Sequence, residues 1–229
     1  MKKFFIAIIC TLCIFSVGCK KPQKTTIEKK EEETTRAIKE NEESFKNDSL
    51  EIVKKFKKIQ SEEEKDPSKI EIAATVDNEK INKWEVEFVL ESRYIGKDLT
   101  KLSEESKQKE KDDILNTMIQ KAAAVSFARK NNLFPTDEVI HAATGKLKEN
   151  VKNDEYEAKK AKEVMKVTSW NMDEYVNSYK KDIEEAFAIE NVYKYYKENY
   201  ESKEDNKLTF SEFLKELTSK SKVEKNDLH

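Results

Sequence analysis

The hydrophobic pattern predicts a chain made mainly of helices, with one short β-hairpin. A convincing alternation of apolar and polar positions lies between Ile70 and Ile81, and Asp77-Asn78 within it supplies a turn that tolerates a left-handed backbone. Beyond the hairpin, apolar residues recur every three or four positions, as on the buried face of a helix. The expected fold class is therefore mainly α, with several helices and one hairpin.

Polar residues between the apolar segments predict where helices begin. Asn82 with Glu85, and Asn171 with Glu174, have the spacing of a capping box. The first box starts a helix directly after the hairpin, and the second starts a predicted helix of about seven turns. Residues 152–163 are so polar that an exposed helix and a loop both remain open.

The first nineteen residues carry a different signal. A basic pair is followed by the uncharged, mostly apolar stretch Phe4–Val17, which is shorter than the ~20 residues that a membrane-spanning helix needs. The stretch ends in Ser16-Val17-Gly18-Cys19, which resembles the lipobox of bacterial lipoproteins. The resemblance implies cleavage between Gly18 and Cys19 and diacylation of the Cys19 thiol. The alternative is an ordinary cleaved signal whose last cysteine is accidental.

Between this signal and the hairpin, the sequence predicts a tether. The segment from Lys20 to about Asn47 has almost no large apolar residues, so it is expected to be disordered. Ser49–Gln60 is amphipathic and predicts a short helix, capped by Ser49. This helix could lie on the membrane or dock on the domain, and docking is the favoured alternative. The expected organisation is a signal peptide at 1–18, a tether at 19–68, a helical domain at 69–220 and a polar tail at 221–229.

The charged residues of the sequence limit the classes of partner that the protein is expected to bind. Lys and Arg number 44 and Asp and Glu number 46, and the two signs alternate along the chain. This balance argues against a nucleic-acid partner, which would require a clustered basic face. The charges instead indicate solvated helix faces.

Residues suited to catalysis or metal binding are scarce. The histidines are His141 and the terminal His229, and Cys10 and Cys13 would leave with the signal, so Cys19 is the one cysteine of the expected mature chain. A glycine-rich phosphate loop and a glycine-flanked nucleophilic serine are both missing from the sequence. We therefore expect no catalytic residues, no metal site and no cofactor.

Aromatic residues between Tyr175 and Tyr200 are the strongest candidates for a binding surface. Tyr195 and Tyr196 diverge by ~100° on a helix, so they cannot both face one core. Some of this aromatic surface must then be exposed or covered by another element. The competing interpretation is that the stripe is simply helix core.

Three segments together resemble a known family. Ala73–Ile81 with Trp84-Glu85 is similar to an opening hairpin and first helix, Ile114–Val139 to a long helix and the restart after it, and Met172–Tyr196 to a later helix pair. In this order they resemble the N-terminal domain of the SurA and PrsA-type secreted foldases, which is related in architecture to the trigger-factor chaperone region. The similarity covers roughly residues 70–200.

The resemblance implies a chaperone module without an enzyme. In complete foldases a parvulin prolyl-isomerase domain follows the returning helix, whereas here residues 200–206 lead directly to a segment that looks like the family's closing helix. We therefore expect a lipid-anchored protein on the extracytoplasmic face of a bacterial membrane that holds unfolded or nascent secreted chains. The side chains expected near its groove are Trp84, Phe88, Phe187, Tyr193 and Tyr196.

Two other functions remain open from the sequence. One is an adaptor or structural lipoprotein that binds a single folded envelope partner. The other, which the missing domain disfavours, is a prolyl isomerase.

Overall fold

A computed structural model describes residues 28–97, 99–201 and 208–228, with side chains from residue 43 onward. The expected signal peptide, including Gly18, and the expected lipidation site Cys19 lie outside the described residues. The α-helices are α1 (Glu28–Lys65), α2 (Lys83–Arg93), α3 (Glu104–Lys130), α4 (Asp137–Asn153), α5 (Glu155–Thr168), α6 (Met172–Asn177), α7 (Lys180–Tyr196) and α8 (Phe210–Lys220). The strands are β1 (Ile72–Val76), β2 (Glu79–Asn82) and β3 (Val223–Lys225).

The mainly α fold class is confirmed, and so is the hairpin. Strands β1 and β2 pair antiparallel across the predicted turn, where Asp77 has φ 53°. Helix α2 begins after Asn82 as predicted, because the Glu85 carboxylate accepts a hydrogen bond from the Asn82 backbone N–H at 2.7 Å. The polar segment at 152–163 is helical, since most of it belongs to α5.

Within the expected polar tail at 221–229 the structure has a strand that the sequence did not predict: β3 pairs antiparallel with β1 and completes a three-stranded sheet. The turn residue Asp77 attaches this strand. Its backbone N–H donates to the Lys222 carbonyl at 2.8 Å, and its carboxylate accepts from the Lys222 N–H at 3.0 Å. The same carboxylate accepts from the Ser126 hydroxyl at 2.6 Å and from the Lys130 ammonium at 2.7 Å. Asp77 therefore joins the hairpin, α3 and β3.

The main core surrounds the second half of α3. Ala122–Ser126 and Ala128 are all buried, and these small side chains let other elements approach the helix from several sides. The sheet, α2, α7 and α8 all contact α3. A second, smaller cluster joins α4, α5 and α6 and includes Val151, Val164, Trp170 and Tyr175.

Helix α1 is much longer than predicted. Residues 28–65 form one helix, so the expected disorder up to Asn47 is wrong from Glu28 onward, and Ser49 lies inside the helix instead of capping it. The segment lacks Gly and Pro, and its alternating charges favour a helix through pairs three or four residues apart. Asp66-Pro67 ends it, as predicted. Docking on the domain is confirmed, since Leu50 and Phe56 are buried.

The predicted seven-turn helix is two helices. Its capping box is confirmed, because Asn171 accepts from the N–H of Asp173 and of Glu174 and the Glu174 carboxylate accepts from the Asn171 N–H. The helix is then interrupted at Ser178 and Tyr179, between α6 and α7. The Ser178 carbonyl at this interruption accepts a hydrogen bond from a lysine of α1, which the local sequence does not reveal.

The contacts of Asp77 predict that the free energy of unfolding depends on pH. Asp77→Asn keeps the turn geometry, since Asn tolerates positive φ, but it removes the charge that Lys130 and Ser126 stabilise. We expect a loss of roughly 1–3 kcal/mol in the free energy of unfolding at pH 7, measured by urea denaturation. Asp113→Asn, at an exposed position of α3, is the matched control and should be neutral.

The pH dependence follows from the pKa of Asp77. Hydrogen bonds from Lys130 and Ser126 hold this pKa well below its ordinary value of 3.8. The stabilisation is therefore complete above pH 3.8 and is lost as the pH falls below it, so wild type and Asp77→Asn should converge in strongly acidic solution. An undiminished difference at pH 2 would contradict this role of the carboxylate.

Candidate functional site

The second half of α1 lies in a groove of the helical body, which we call the α1 groove. One wall of the α1 groove is α2, which contributes Trp84 and Phe88, and the other wall is α5. The carbonyls of Thr168 and Ser178 lie along its length, at the ends of α5 and α6. The occupant of this groove is a helix of the same chain.

The α2 wall of the α1 groove is aromatic. Phe56 of α1, 3% exposed, packs edge-on against Phe88 with ring centroids 5.5 Å apart and lies 6.4 Å from Trp84. The Trp84 indole N–H donates to the Glu63 carboxylate at 2.8 Å, and the Asn82 amide donates to the same oxygen at 3.2 Å. Burial raises the pKa of Glu63, which the Trp84 hydrogen bond partly opposes.

The opposite side of the α1 groove is polar and buried. Lys57 of α1 donates to the Ser178 carbonyl at 2.9 Å and lies 4.0 Å from the centroid of the Tyr179 ring. Ser61 donates to the Thr168 carbonyl at 3.4 Å. Burial lowers the pKa of Lys57 to about 8, a shift that Asp182 and other nearby carboxylates oppose. The ammonium is thus held by a carbonyl and an aromatic face in place of water.

Acidic side chains flank both walls. Glu91 of α2 pairs with Lys55, and Glu163 of α5 lies 4.0 Å from the ammonium of Lys54. Each wall of the α1 groove therefore presents a carboxylate to a lysine of the helix that it holds. These pairs are partly exposed, so they guide and orient the helix more than they stabilise it.

A second charged cluster fixes α2 against α7 at the end of the groove. Lys181 of α7 donates to the Glu85 carboxylate at 2.7 Å and to the Lys80 carbonyl at 3.3 Å. Burial raises the pKa of the neighbouring Glu185 to about 7, which Lys181 opposes. This cluster is a structural clamp, because each of its hydrogen bonds joins the sheet or α2 to α7.

The five side chains predicted to line one groove lie in three places. Trp84 and Phe88 form the aromatic wall of the α1 groove, as described above. Phe187 packs in a small cluster with Ile140, Ala143 and Ile183 of α4 and α7. The other two lie where α7 meets α8.

Tyr193 and Tyr196, which lie where α7 meets α8, differ in their exposure. Tyr196 is 5% exposed and belongs to the main core, and its hydroxyl donates to the Leu208 carbonyl at 2.5 Å. Tyr193 is 39% exposed and packs edge-on against Phe210 at 5.0 Å. The aromatic stripe is thus divided between core and surface, and α8 covers its C-terminal end at Tyr193, Tyr196 and Tyr200. Tyr196 does not belong to a binding surface.

The site residues that sequence reasoning missed all come from α1 and its contacts. Phe56 lies on the predicted amphipathic stripe, so its apolar spacing was a usable signal. Lys57 and Ser61 were not predictable, because nothing in a run of lysines and glutamates marks which member is buried. The Ser178 carbonyl carries no sequence signal at all.

No group of three or more His, Cys, Asp or Glu side chains is placed to hold a metal ion among the described residues. Across residues 28–97, 99–201 and 208–228, no helix is both long enough and apolar enough to cross a membrane. No protein-family model, curated protein or solved structure matches this chain.

The buried ammonium of Lys57 predicts a rise in stability with pH. Its pKa of about 8 in the folded chain is below the ordinary lysine value of 10.5, so between these values the unfolded chain binds more protons. Unfolding free energy should therefore rise between pH 7 and pH 9.5, by up to about 2 kcal/mol relative to Lys57→Met. Measurements stay below pH 10 because burial raises the pKa of Tyr175 to about 12, so tyrosine ionisation would reverse the trend above pH 10.

Lys58→Met provides the matched control. Lys58 is exposed and pairs with Glu62 on its own helix, so this variant should follow the wild-type pH dependence. A difference between wild type and Lys57→Met that stays constant from pH 7 to pH 9.5 would show that the Lys57 ammonium is not desolvated.

Proposed function

We propose that this protein is a membrane-anchored extracytoplasmic lipoprotein that acts as a holdase, binding unfolded or nascent secreted polypeptides without covalent chemistry. The observation that carries the proposal is the α1 groove, which lies outside the main core and holds a polypeptide segment. A holdase needs such a surface, and it needs neither a nucleotide nor a catalytic group.

The chemistry of the α1 groove supports binding of many sequences. Trp84 and Phe88 offer aromatic surface, and the carbonyls of Thr168 and Ser178 accept hydrogen bonds from any suitably placed donor. Neither kind of contact requires one particular partner sequence. Binding would be driven by apolar burial, while the charged residues around the groove keep the surface soluble.

The N-terminal signal supports the proposed location. Cys19 stands where a bacterial lipoprotein carries its lipid, and α1 begins at Glu28, shortly after it in the sequence. An anchor at Cys19 would hold the groove near the face of the membrane where secreted chains emerge. The order of hairpin, long helix, helix pair and closing helix also agrees with the resemblance to the foldase N-terminal domain.

The anchor is tested by replacing its thiol. Cys19→Ser should abolish incorporation of radiolabelled palmitate and move the protein from the membrane fraction to the soluble fraction, because the serine hydroxyl cannot form the thioether. Cys13→Ser, which changes a cysteine within the expected signal peptide, is the matched control and should behave as wild type. Undiminished labelling of Cys19→Ser would exclude lipidation at this residue.

The holdase activity is tested with the mature chain carrying Cys19→Ser. A chemically denatured client is diluted into buffer, and its light scattering is followed with increasing amounts of the protein. We expect aggregation to fall progressively as the protein reaches a several-fold molar excess, whereas an inert globular protein of similar size should have no effect. Unchanged aggregation would exclude a general holdase and favour an adaptor for one folded partner.

A further inference from the structure

Helix α1 is attached to the body without joining its main core. The buried residues of that core come from the sheet and from α2, α3, α7 and α8, and among the described side chains none belongs to α1. The buried apolar residues of α1 are Leu50 and Phe56, and Val53 packs at the edge of the smaller cluster. Departure of α1 would therefore remove no buried residue from the main core.

The face of α1 that docks in the groove contains more polar residues than a buried surface usually does. Lys57, Ser61 and Glu63 are all buried, and each of the two charged residues loses hydration when the helix docks. Burial lowers the pKa of Lys57 and raises the pKa of Glu63, although each group has a hydrogen-bond partner in the groove. An interface of this kind opens more readily than an apolar one of the same area.

The docked part of α1 also ends before the helix does. Residues 43–48 are exposed, although the Tyr156 hydroxyl of α5 donates to the Lys46 carbonyl at 3.3 Å. Phe45 is 54% exposed although its position on the helix is close to that of Phe56. The amphipathic face thus continues beyond the edge of the body. The length of the contact along α1 is therefore set by the groove and not by the hydrophobic pattern of the helix.

The contacts that hold α1 define what else would fit. Four of its lysines point at acceptors of the body, namely Lys54 at Glu163, Lys55 at Glu91, Lys57 at the Ser178 carbonyl and Lys65 at the Thr168 carbonyl. One aromatic side chain, Phe56, fills the space between Trp84 and Phe88. The complementary partner is an amphipathic helix with a central aromatic residue and flanking lysines.

We propose that the second half of α1 is an exchangeable occupant of its groove, a built-in competitor that lysine-bearing amphipathic segments of client chains displace. This inference rests on the proposed holdase function and specifies its site and its preferred clients. Weakly binding segments would fail to displace α1, whereas segments that reproduce the contacts of α1 would replace it in the groove.

The test uses the mature chain with Cys19→Ser and a matched pair of double variants. The docking variant combines Phe56→Ala with Lys55→Glu, which removes the ring between Trp84 and Phe88 and places a second carboxylate opposite Glu91. The control variant combines Phe45→Ala with Lys58→Glu, the same changes at exposed positions of the same helix. Lys55→Glu alone serves as a milder docking variant if the double variant loses its cooperative unfolding.

The probe is a fluorescein-labelled synthetic peptide of residues 43–66, followed by fluorescence anisotropy. The docking variant should bind this peptide at least ten-fold more tightly than wild type and the control variant, because its own α1 no longer competes. The same peptide with Phe56→Ala and Lys55→Glu should not bind. A thiol introduced by Ser61→Cys reports undocking, since Ser61 is buried in the docked helix and should become reactive in the docking variant.

The outcomes separate this inference from the proposed function. If the thiol becomes reactive but the peptide does not bind, α1 is not exchangeable and the inference is overturned, whatever the aggregation assay shows. If the peptide binds but no variant suppresses aggregation, the inference about the groove stands and the holdase function is overturned. If wild type forms dimers that exchange α1, detected by sedimentation, the occupant is a second copy and the client assignment is overturned.

Discussion

Burial of the second half of α3 on several sides is the constraint on which the structure depends. Its run of alanines, with Val125 and Ser126, lets the sheet, α2, α7 and α8 approach one helix closely. Asp77 then ties the hairpin and the C-terminal strand to the same helix. Because these elements complete the main core among themselves, α1 is left to pack from outside, through a mixed apolar and polar contact. The groove that holds α1 therefore lies outside the main core.

The local features of the fold could be predicted from the sequence because they depend on neighbouring residues. The hairpin turn, the capping boxes and the apolar stripe of α3 are all set by side chains within a few positions of one another. Strand β3 could not be predicted, because Val223 alone is a weak signal and its pairing depends on Asp77, far away in sequence. The break at Ser178 likewise involves a distant helix, because its carbonyl accepts a hydrogen bond from Lys57 of α1.

The candidate site was predictable only in part, for the same physical reason. Trp84 and Phe88 were identified by their aromatic character, and they do share one wall of the α1 groove. Tyr196 was assigned to the surface although α8 buries it, since spacing along one helix does not reveal what another helix covers. Lys57 is the clearest example, because its burial results from packing and contradicts the usual preference of lysine for water.

Hydrogen exchange of the mature chain, with and without an unfolded client, tests the central claim most directly. We predict that amides of residues 50–65 in α1 exchange much faster than those of residues 114–128 in α3, because α1 opens without unfolding the core. Addition of the client should accelerate exchange in α1 further and leave α3 unchanged. Equal protection of the two helices, unaffected by the client, would show that α1 is a permanent part of the fold and that its groove is not a binding site.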